Sequence, residues 1–363
     1  MRFIDEFRDV GLAQKLAQKI TGISHKPARL MEFCGGHTVA IMRNGIRQLL
    51  PPNIEMLSGP GCPVCVTANR DIDKSIALAS LPDVTITTFG DMLKVPGSYS
   101  NLQKARAEGG DIRIVYSTQD ALQIARGNPQ QSVIFIGIGF ETTAPTIAAA
   151  VIQAEKENLK NFFVLCQLKM TPPAMKAILD LGEVDLNGII CPGHVSAIIG
   201  TRSYEAYARD YGIACVVAGF EPVDILQAIE MLVIQIENKN PQVEIAYTRG
   251  VKPEGNPRAL ELMHSVFDVA GASWRGIGDI PNSGFKLKEK YARFDADEEF
   301  EVELPPVKEA PGCRCGEVLR GIIQPPECKL FRKLCLPENP IGPCMVSSEG
   351  TCAAYYQYGD LDE

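Results

Sequence analysis

Residues 133–143 read Val133-Ile-Phe-Ile-Gly-Ile-Gly-Phe-Glu141-Thr-Thr143, and residues 31–38 read Met31-Glu-Phe-Cys34-Gly-Gly-His37-Thr38. In each, an apolar run enters a turn of small residues and then a helix-like stretch. A continuous apolar run of this length suits a strand buried on both faces, as in a parallel sheet covered by helices. Working outward, the same texture recurs. Strands are expected at 29–33, 54–57, 84–88, 112–116, 133–138, 162–168, 188–190, 214–217 and 243–247, with helical patterns between them from 3–20 to 257–267. Strands alternating with helices predict an α/β fold.

The α/β part also repeats at an offset of roughly a hundred residues. The segment ending at Thr38 corresponds to that ending at Thr143, Ile54-Glu-Met-Leu to Phe162-Phe-Val-Leu, Thr88-Phe-Gly-Asp to Ile190-Cys-Pro-Gly, and Asp120-Ala-Leu-Gln to Asp224-Ile-Leu-Gln. Four elements in the same order predict two similar Rossmann-like lobes facing a cleft; two unrelated halves of similar texture are the alternative. The expected divisions are an N-terminal helix over 1–28, a first lobe over 29–128 completed by 240–270, and a second lobe over 129–239. A linker and a small loop-rich module over 271–363 follow, because the chain becomes irregular through Trp274-Arg-Gly-Ile-Gly-Asp-Ile-Pro281 and then acidic and proline-punctuated to Gly312.

Composition narrows the function. The chain has 363 residues, 36 Lys and Arg against 44 Asp and Glu, a net charge of −8 and 12 cysteines. Domains of this size bury cores without covalent staples. No window approaches the ~18 apolar residues of a membrane span, and the opening Met1-Arg-Phe-Ile-Asp-Glu is too charged for a signal peptide. A cytoplasmic protein with neither nucleic acid nor membrane as partner is expected. In a reducing compartment, twelve cysteines call for metal or redox chemistry.

Their placement is uneven. Cys313, Cys315, Cys328, Cys335, Cys344 and Cys352 crowd a tail rich in proline and glycine, with little apolar periodicity to fold it. Thiolates on loops suit an iron–sulfur cluster or structural zinc, and the bound group supplies the missing folding energy. A [4Fe–4S] cluster is the expectation, since six cysteines exceed one zinc site. Cys62-Pro-Val-Cys65, between a strand and a helix, has the spacing of a redox or metal-delivery pair. Cys34 and His37 emerge from a glycine turn at a strand end, where parallel sheets present ligand crevices, and suit soft metal coordination or thiolate chemistry. His194, in Cys191-Pro-Gly-His194, stands at a comparable strand end in the other half, and Glu141 is expected to orient a histidine or bind a partner. Cys166 and Cys215 read as packing, Cys191 as either, and His25 and His264 as structural or surface residues. No phosphate-binding glycine motif occurs.

These motifs resemble the HypD family of hydrogenase maturation factors: Cys34-Gly-Gly-His-Thr, Gly59-Pro-Gly-Cys-Pro-Val-Cys-Val-Thr67, Phe89-Gly-Asp-Met-Leu-Lys-Val-Pro-Gly97, Gly139-Phe-Glu-Thr-Thr-Ala-Pro145, Cys191-Pro-Gly-His-Val-Ser196 and the tail from Cys313 to Cys352. The resemblance runs nearly the full length. It implies a scaffold that, with the small chaperone HypC, assembles the Fe(CN)2CO unit of [NiFe]-hydrogenase, cyanide arriving from HypE with HypF. It further implies transient iron at Cys34 beside His37, a redox pair at Cys62 and Cys65, and a [4Fe–4S] cluster. By similarity to ferredoxin-thioredoxin reductase, the ligands would be Cys313, Cys328, Cys335 and Cys352, leaving Cys315 and Cys344 as a second redox pair. Val39 stands where the family usually has a second histidine. A free-standing thiol-disulfide oxidoreductase and a zinc-stapled binding module are the rival readings.

Overall fold

A computed structural model describes residues 4–359; residues 1–3, which include the start of the expected N-terminal helix, and 360–363 lie outside the described residues. The strands are β1 (Ala28–Glu32), β2 (Ile54–Ser58), β3 (Val84–Thr88), β4 (Asp111–Ile114), β5 (Ser132–Gly139), β6 (Phe162–Leu168), β7 (Gly188–Pro192), β8 (Ala214–Ala218), β9 (Val243–Ile245), β10 (Phe267–Trp274) and β11 (Gly278–Leu287). They form two parallel sheets, ordered β2-β1-β7-β8-β9 and β4-β3-β5-β6, and one antiparallel hairpin, β10-β11.

Side chains alternate between two covered faces in each lobe, as the two-residue period of a strand requires. In β7 and β8, Ile190, Ala214, Val216 and Ala218 face the helix Pro222–Asn238, while Ile189, Cys191, Cys215 and Val217 face a core with Tyr204 and Tyr207. In the second lobe Val133 and Phe135 face one core, and Ile134, Ile136 and Ile138 the other. Caps fix where helices begin. Asp9 accepts from the Leu12 N–H at 2.6 Å, and Ser117 and Asp120 form a reciprocal capping box.

Strand pairing corrects the expected boundary at 128/129. β1 and β2 pair with β7, β8 and β9, whereas β3 and β4 pair with β5 and β6. Each lobe therefore combines two strands from one repeat with two from the other. The spatial orders β2-β1-β7-β8 and β6-β5-β3-β4 still match strand for strand under the correspondence noted in the sequence. The repeat is one of structure, with its second halves exchanged between lobes.

The stretch read as irregular after residue 267 is the β10-β11 hairpin. Its faces are mixed in exposure and Pro281 interrupts β11, so neither strand carries a clean apolar run. Trp274, at the end of β10, is buried and stacks on Phe140 with ring centroids 6.0 Å apart. This contact belongs to a core that gathers Val66, beyond β2, with Phe140, Ala174 and Val195, beyond β5, β6 and β7, and the cysteine-rich tail. The carboxyl ends of both sheets thus border one region, and the tail fills it. Among the described residues no helix is long and apolar enough to cross a membrane.

Candidate functional site

β1 ends in Glu32, a carboxylate buried after the apolar Leu30 and Met31. Its Oε2 accepts the Cys34 N–H at 2.8 Å and its other oxygen accepts the Thr38 hydroxyl, so Glu32 fixes the turn that presents Cys34. Burial pushes the Glu32 carboxyl up to about 7, against the pull of those hydrogen bonds. Burial, with the nearby Glu32 charge, pushes the Cys34 thiol up to about 12. Cys34 is a protonated thiol at neutral pH unless a cation draws its proton off.

Backbone contact joins this turn to its neighbours. A Cβ on Gly61 would stand 2.2 Å from the Cys34 nitrogen, and one on Gly35 would stand 2.5 Å from the Glu349 carbonyl oxygen. Only glycine lets the Gly59-Pro-Gly-Cys62 loop and the tail pack so closely on Cys34. The Gly35 N–H donates to Gly61 O at 3.1 Å.

One imidazole stands beside the thiol and a second belongs to the same turn. His194 Nδ1 lies 3.8 Å from Cys34 Sγ. His37 is fully buried, with Nε2 2.9 Å from Gly219 O and 3.3 Å from Ala218 O. Carbonyls only accept, so Nε2 carries the hydrogen, and the buried, unpartnered Nδ1 keeps a free lone pair. Burial, reinforced by His194, pulls His37 down to about 4, which keeps the ring neutral. Both rings stack on Phe220, at centroid distances of 4.8 Å and 3.8 Å. Phe220 lies outside the motifs of the sequence, and Glu349 lies within the tail motif but is not one of its cysteines. A charged residue inside the apolar run Met31-Glu32-Phe33 was the available signal for Glu32.

Cys62 caps the short helix Pro63–Val66, and its sulfur accepts the Cys65 N–H at 3.3 Å. Burial, with the Cys65 sulfur, pushes the Cys62 thiol up. Burial acts the same way on Cys65, but hydrogen bonds from Cys344 and Cys62 and the charge of buried Arg275 outweigh it and bring Cys65 down. Of the pair, Cys65 carries the thiolate character and Cys62 the proton.

The tail continues the line of sulfurs. Cys344 Sγ lies 2.8 Å from Cys315 Sγ, and the Cys65 thiol meets Pro343 O, one residue before Cys344, at 3.8 Å. Cys313, Cys315, Cys328, Cys335, Cys344 and Cys352 all line one pocket with Val318, Leu330, Phe331 and Met345, and the Ile341 N–H donates to Cys335 Sγ at 3.3 Å. Among the described residues no three His, Cys, Asp or Glu side chains are gathered as one metal ion would require.

One expectation, that Glu141 orients a histidine, lands elsewhere. Both carboxylate oxygens of Glu141 are engaged by Thr171, which donates its N–H at 2.9 Å and its hydroxyl at 3.0 Å. Glu141 therefore fixes the start of the helix Thr171–Leu181 rather than a histidine. Cys191 is buried beside Cys215 in the first lobe's core, and Cys166 donates to Phe285 O at 3.2 Å. His25 and His264 are exposed. Val39, at the family's usual second-histidine position, packs against the tail core.

A family model, "HypD: Hydrogenase formation hypA family", matches residues 11–359. The chain belongs to the HypD family. It is 48% identical to hydrogenase maturation factor HypD2 of Bradyrhizobium diazoefficiens, over 99% of this chain and 97% of that protein. It is 46% identical to hydrogenase maturation factor HypD of Cupriavidus necator over the same shares, and 44% identical to that of Escherichia coli over 99% and 98%. The glycine-turn, Cys-x-x-Cys and tail motifs of this HypD-family chain lie in one contiguous region at the carboxyl ends of its two sheets.

Proposed function

We propose that the protein is a hydrogenase maturation factor that holds iron at Cys34 while its cyanide and carbon monoxide ligands are added, working with a HypC-type chaperone and receiving cyanide from HypE with HypF. Electrons reach the site through its own thiols. The observation that carries this reading is the convergence of the tail pocket, the Cys315–Cys344 contact and the Cys62–Cys65 loop, whose Cys65 thiol meets Pro343 O at 3.8 Å and which packs on Cys34.

The tail fits a [4Fe–4S] cluster better than zinc. Six cysteines line one pocket, two more than a four-thiolate zinc site uses, the Ile341 N–H already hydrogen-bonds one of them, and the close Cys315–Cys344 contact leaves Cys313, Cys328, Cys335 and Cys352 as four further thiols there. Those four would hold the cluster, which supplies single electrons when bound. The chain's residues do the rest. Cys344 touches Cys315, and Cys65 lies against the neighbouring Pro343, so a disulfide formed between Cys344 and one of them can be exchanged to the other; each exchange breaks one S–S bond and forms one. Cys65 is the nucleophile of its pair and Cys62 the protonated leaving partner.

At the iron, Cys34 offers the thiolate, His194 stands beside it, and His37 keeps a neutral ring whose Nδ1 lone pair is unused. A bound cation compensates the cost of ionising a buried thiol. The compartment of action is cytoplasmic on this reading.

Breaking the sulfur line tests it. In Cys344→Ser the anaerobically purified protein should keep its iron and cluster absorption, while reduction of a Cys62–Cys65 disulfide by dithionite, followed by thiol alkylation and mass spectrometry, slows at least about tenfold. Equal rates in variant and parent would contradict the relay. The rival oxidoreductase reading gives no role to the Cys34–His194–His37 arrangement.

A further inference from the structure

Arg275 follows β10, in a stretch of sequence that carries no motif. It is 6% exposed, and its hydrogen bonds go to carbonyls: the backbone N–H donates to Val66 O at 2.9 Å, Nε to Thr67 O at 2.9 Å and Nη2 to Pro96 O at 2.8 Å. Carbonyls orient a guanidinium without cancelling its charge. Buried charges are ordinarily paired, yet among the described residues no carboxylate pairs with Arg275. The carboxylates around it are engaged elsewhere: Glu317 by Arg314, Asp71 by Lys169 and Asp73 by Ser98, while Glu309 is exposed. We propose that Arg275 is a positioning residue for thiol exchange, its charge countering a Cys65 thiolate once the Cys62–Cys65 disulfide is reduced. The proposal rests on the redox reading of that pair.

Geometry brings the two groups together. Arg275 fastens the two residues that follow Cys65, in a turn closed by the Thr67 hydroxyl on Pro63 O at 2.8 Å. Cys65 Sγ meets Pro343 O at 3.8 Å, and Pro343, Pro96 and Arg275 line one cavity of about 320 Å³. The charges facing Cys65 are the Arg275 cation and the Asp91 and Glu349 carboxylates, with the sulfurs of Cys62, Cys344 and Cys352. Lys169, which lies over the Trp274 ring, is held by Asp71 and by Ser273 O. Burial raises the Cys65 thiol, and the neighbouring sulfurs and Arg275 bring it down.

The step balances. When a dithiol reduces the pair, the Cys62–Cys65 bond breaks, the reductant's own S–S bond forms, and two electrons pass to the pair. Cys62 takes one of the reductant's two protons, Cys65 stays a thiolate, and the second proton goes to solvent. In acid both protons stay on the pair, and a nearby positive charge then meets two neutral sulfurs. Arg275 therefore favours the reduced pair only where Cys65 is ionised.

The test uses the full chain, purified anaerobically and equilibrated with reduced and oxidised dithiothreitol between about pH 5 and 9. Acid quenching, alkylation and mass spectrometry give the fraction present as the Cys62–Cys65 disulfide. In the parent the reduction constant should be flat in acid and rise about tenfold per pH unit above a break that marks Cys65 ionisation. Arg275→Met should move the break up by about one unit. Its constant should then be about tenfold lower than the parent's above the break, or about 30 mV, and equal to it in acid. Arg275→Lys, which keeps a cation, should break near the parent's pH. A difference of the same size at every pH, an unmoved break in Arg275→Met, or a lysine variant that breaks where the methionine variant does would mean that Arg275 only fastens the turn. Each of these overturns the proposal and leaves the redox pair standing. If no Cys62–Cys65 disulfide forms in the parent, the proposal and the redox reading of that pair fall together.

Discussion

Glu32 and Glu141 are both buried carboxylates pushed up to about 7 by burial, yet they act on different groups. Glu32 shapes the Cys34 turn; Glu141 secures Thr171. For Glu141 the folded-state value exceeds the ordinary 4.5, so between pH 4.5 and about 7 the folded chain keeps a proton that the unfolded chain has released. The stability this contributes is complete below pH 4.5 and is lost as pH rises through about 7. Glu141→Gln should remove that loss: urea unfolding across pH should show the parent-minus-variant difference falling by as much as about 3 kcal/mol over this window. A pH-independent difference would mean that Glu141 is ionised throughout. Sequence reading found the thiols and imidazoles of the site because Cys and His in glycine turns are chemically conspicuous. It missed Phe220, which two histidines stack upon, and Glu349, because a ring or carboxylate acquires a role only when a distant segment packs against it.

At the scale of elements, the docking of the tail on the Cys34 turn depends on Gly35, where a Cβ would meet the Glu349 carbonyl oxygen at 2.5 Å and its Cβ at 2.6 Å. Backbone cannot yield as a flexible side chain does, so Gly35→Ala should displace the segment leading into the helix Thr351–Tyr358 at a cost of about 1–3 kcal/mol. Hydrogen exchange should speed up in residues 343–359, with protection of β5 and β6 unchanged. Unaltered exchange in the tail would show that Gly35 does not set this contact. Strand positions were legible where a parallel strand is an apolar or β-branched run buried on both faces, as in Val84-Thr-Ile-Thr-Thr88, whereas the edge strands β4 and β9 are only partly buried. The β10-β11 hairpin was not, because Asp268, Asp279 and Asn282 face solvent along strands whose other residues bury unevenly.

On the scale of the whole molecule, periodicity announces a strand but carries no information about which sheet it joins. The repeat therefore identified equivalent strands while suggesting contiguous lobes, and only the pairing of β1 with β7 and of β3 with β5 reveals the exchange. A fragment of residues 29–128 would contain β1 and β2 without β7 and β8, and β3 and β4 without β5 and β6. It should show no cooperative thermal transition by circular dichroism; a sharp transition would contradict the exchanged topology. The exchange also places the chain's crossings between lobes at the site, since the loop after β2 carries Cys62 and Cys65 and the strand entered after β6 carries on to His194. Cysteines far apart in sequence thereby form one path.

That path ends at Cys34, and the central claim is that Cys34 carries the iron on which the diatomic ligands assemble. Infrared spectroscopy of the complex purified anaerobically with its HypC-type chaperone tests this directly. The parent protein should show cyanide and carbon monoxide stretching bands together with a brown cluster chromophore, and Cys34→Ala should lose the bands while keeping the chromophore. Bands of undiminished intensity in Cys34→Ala would contradict the account.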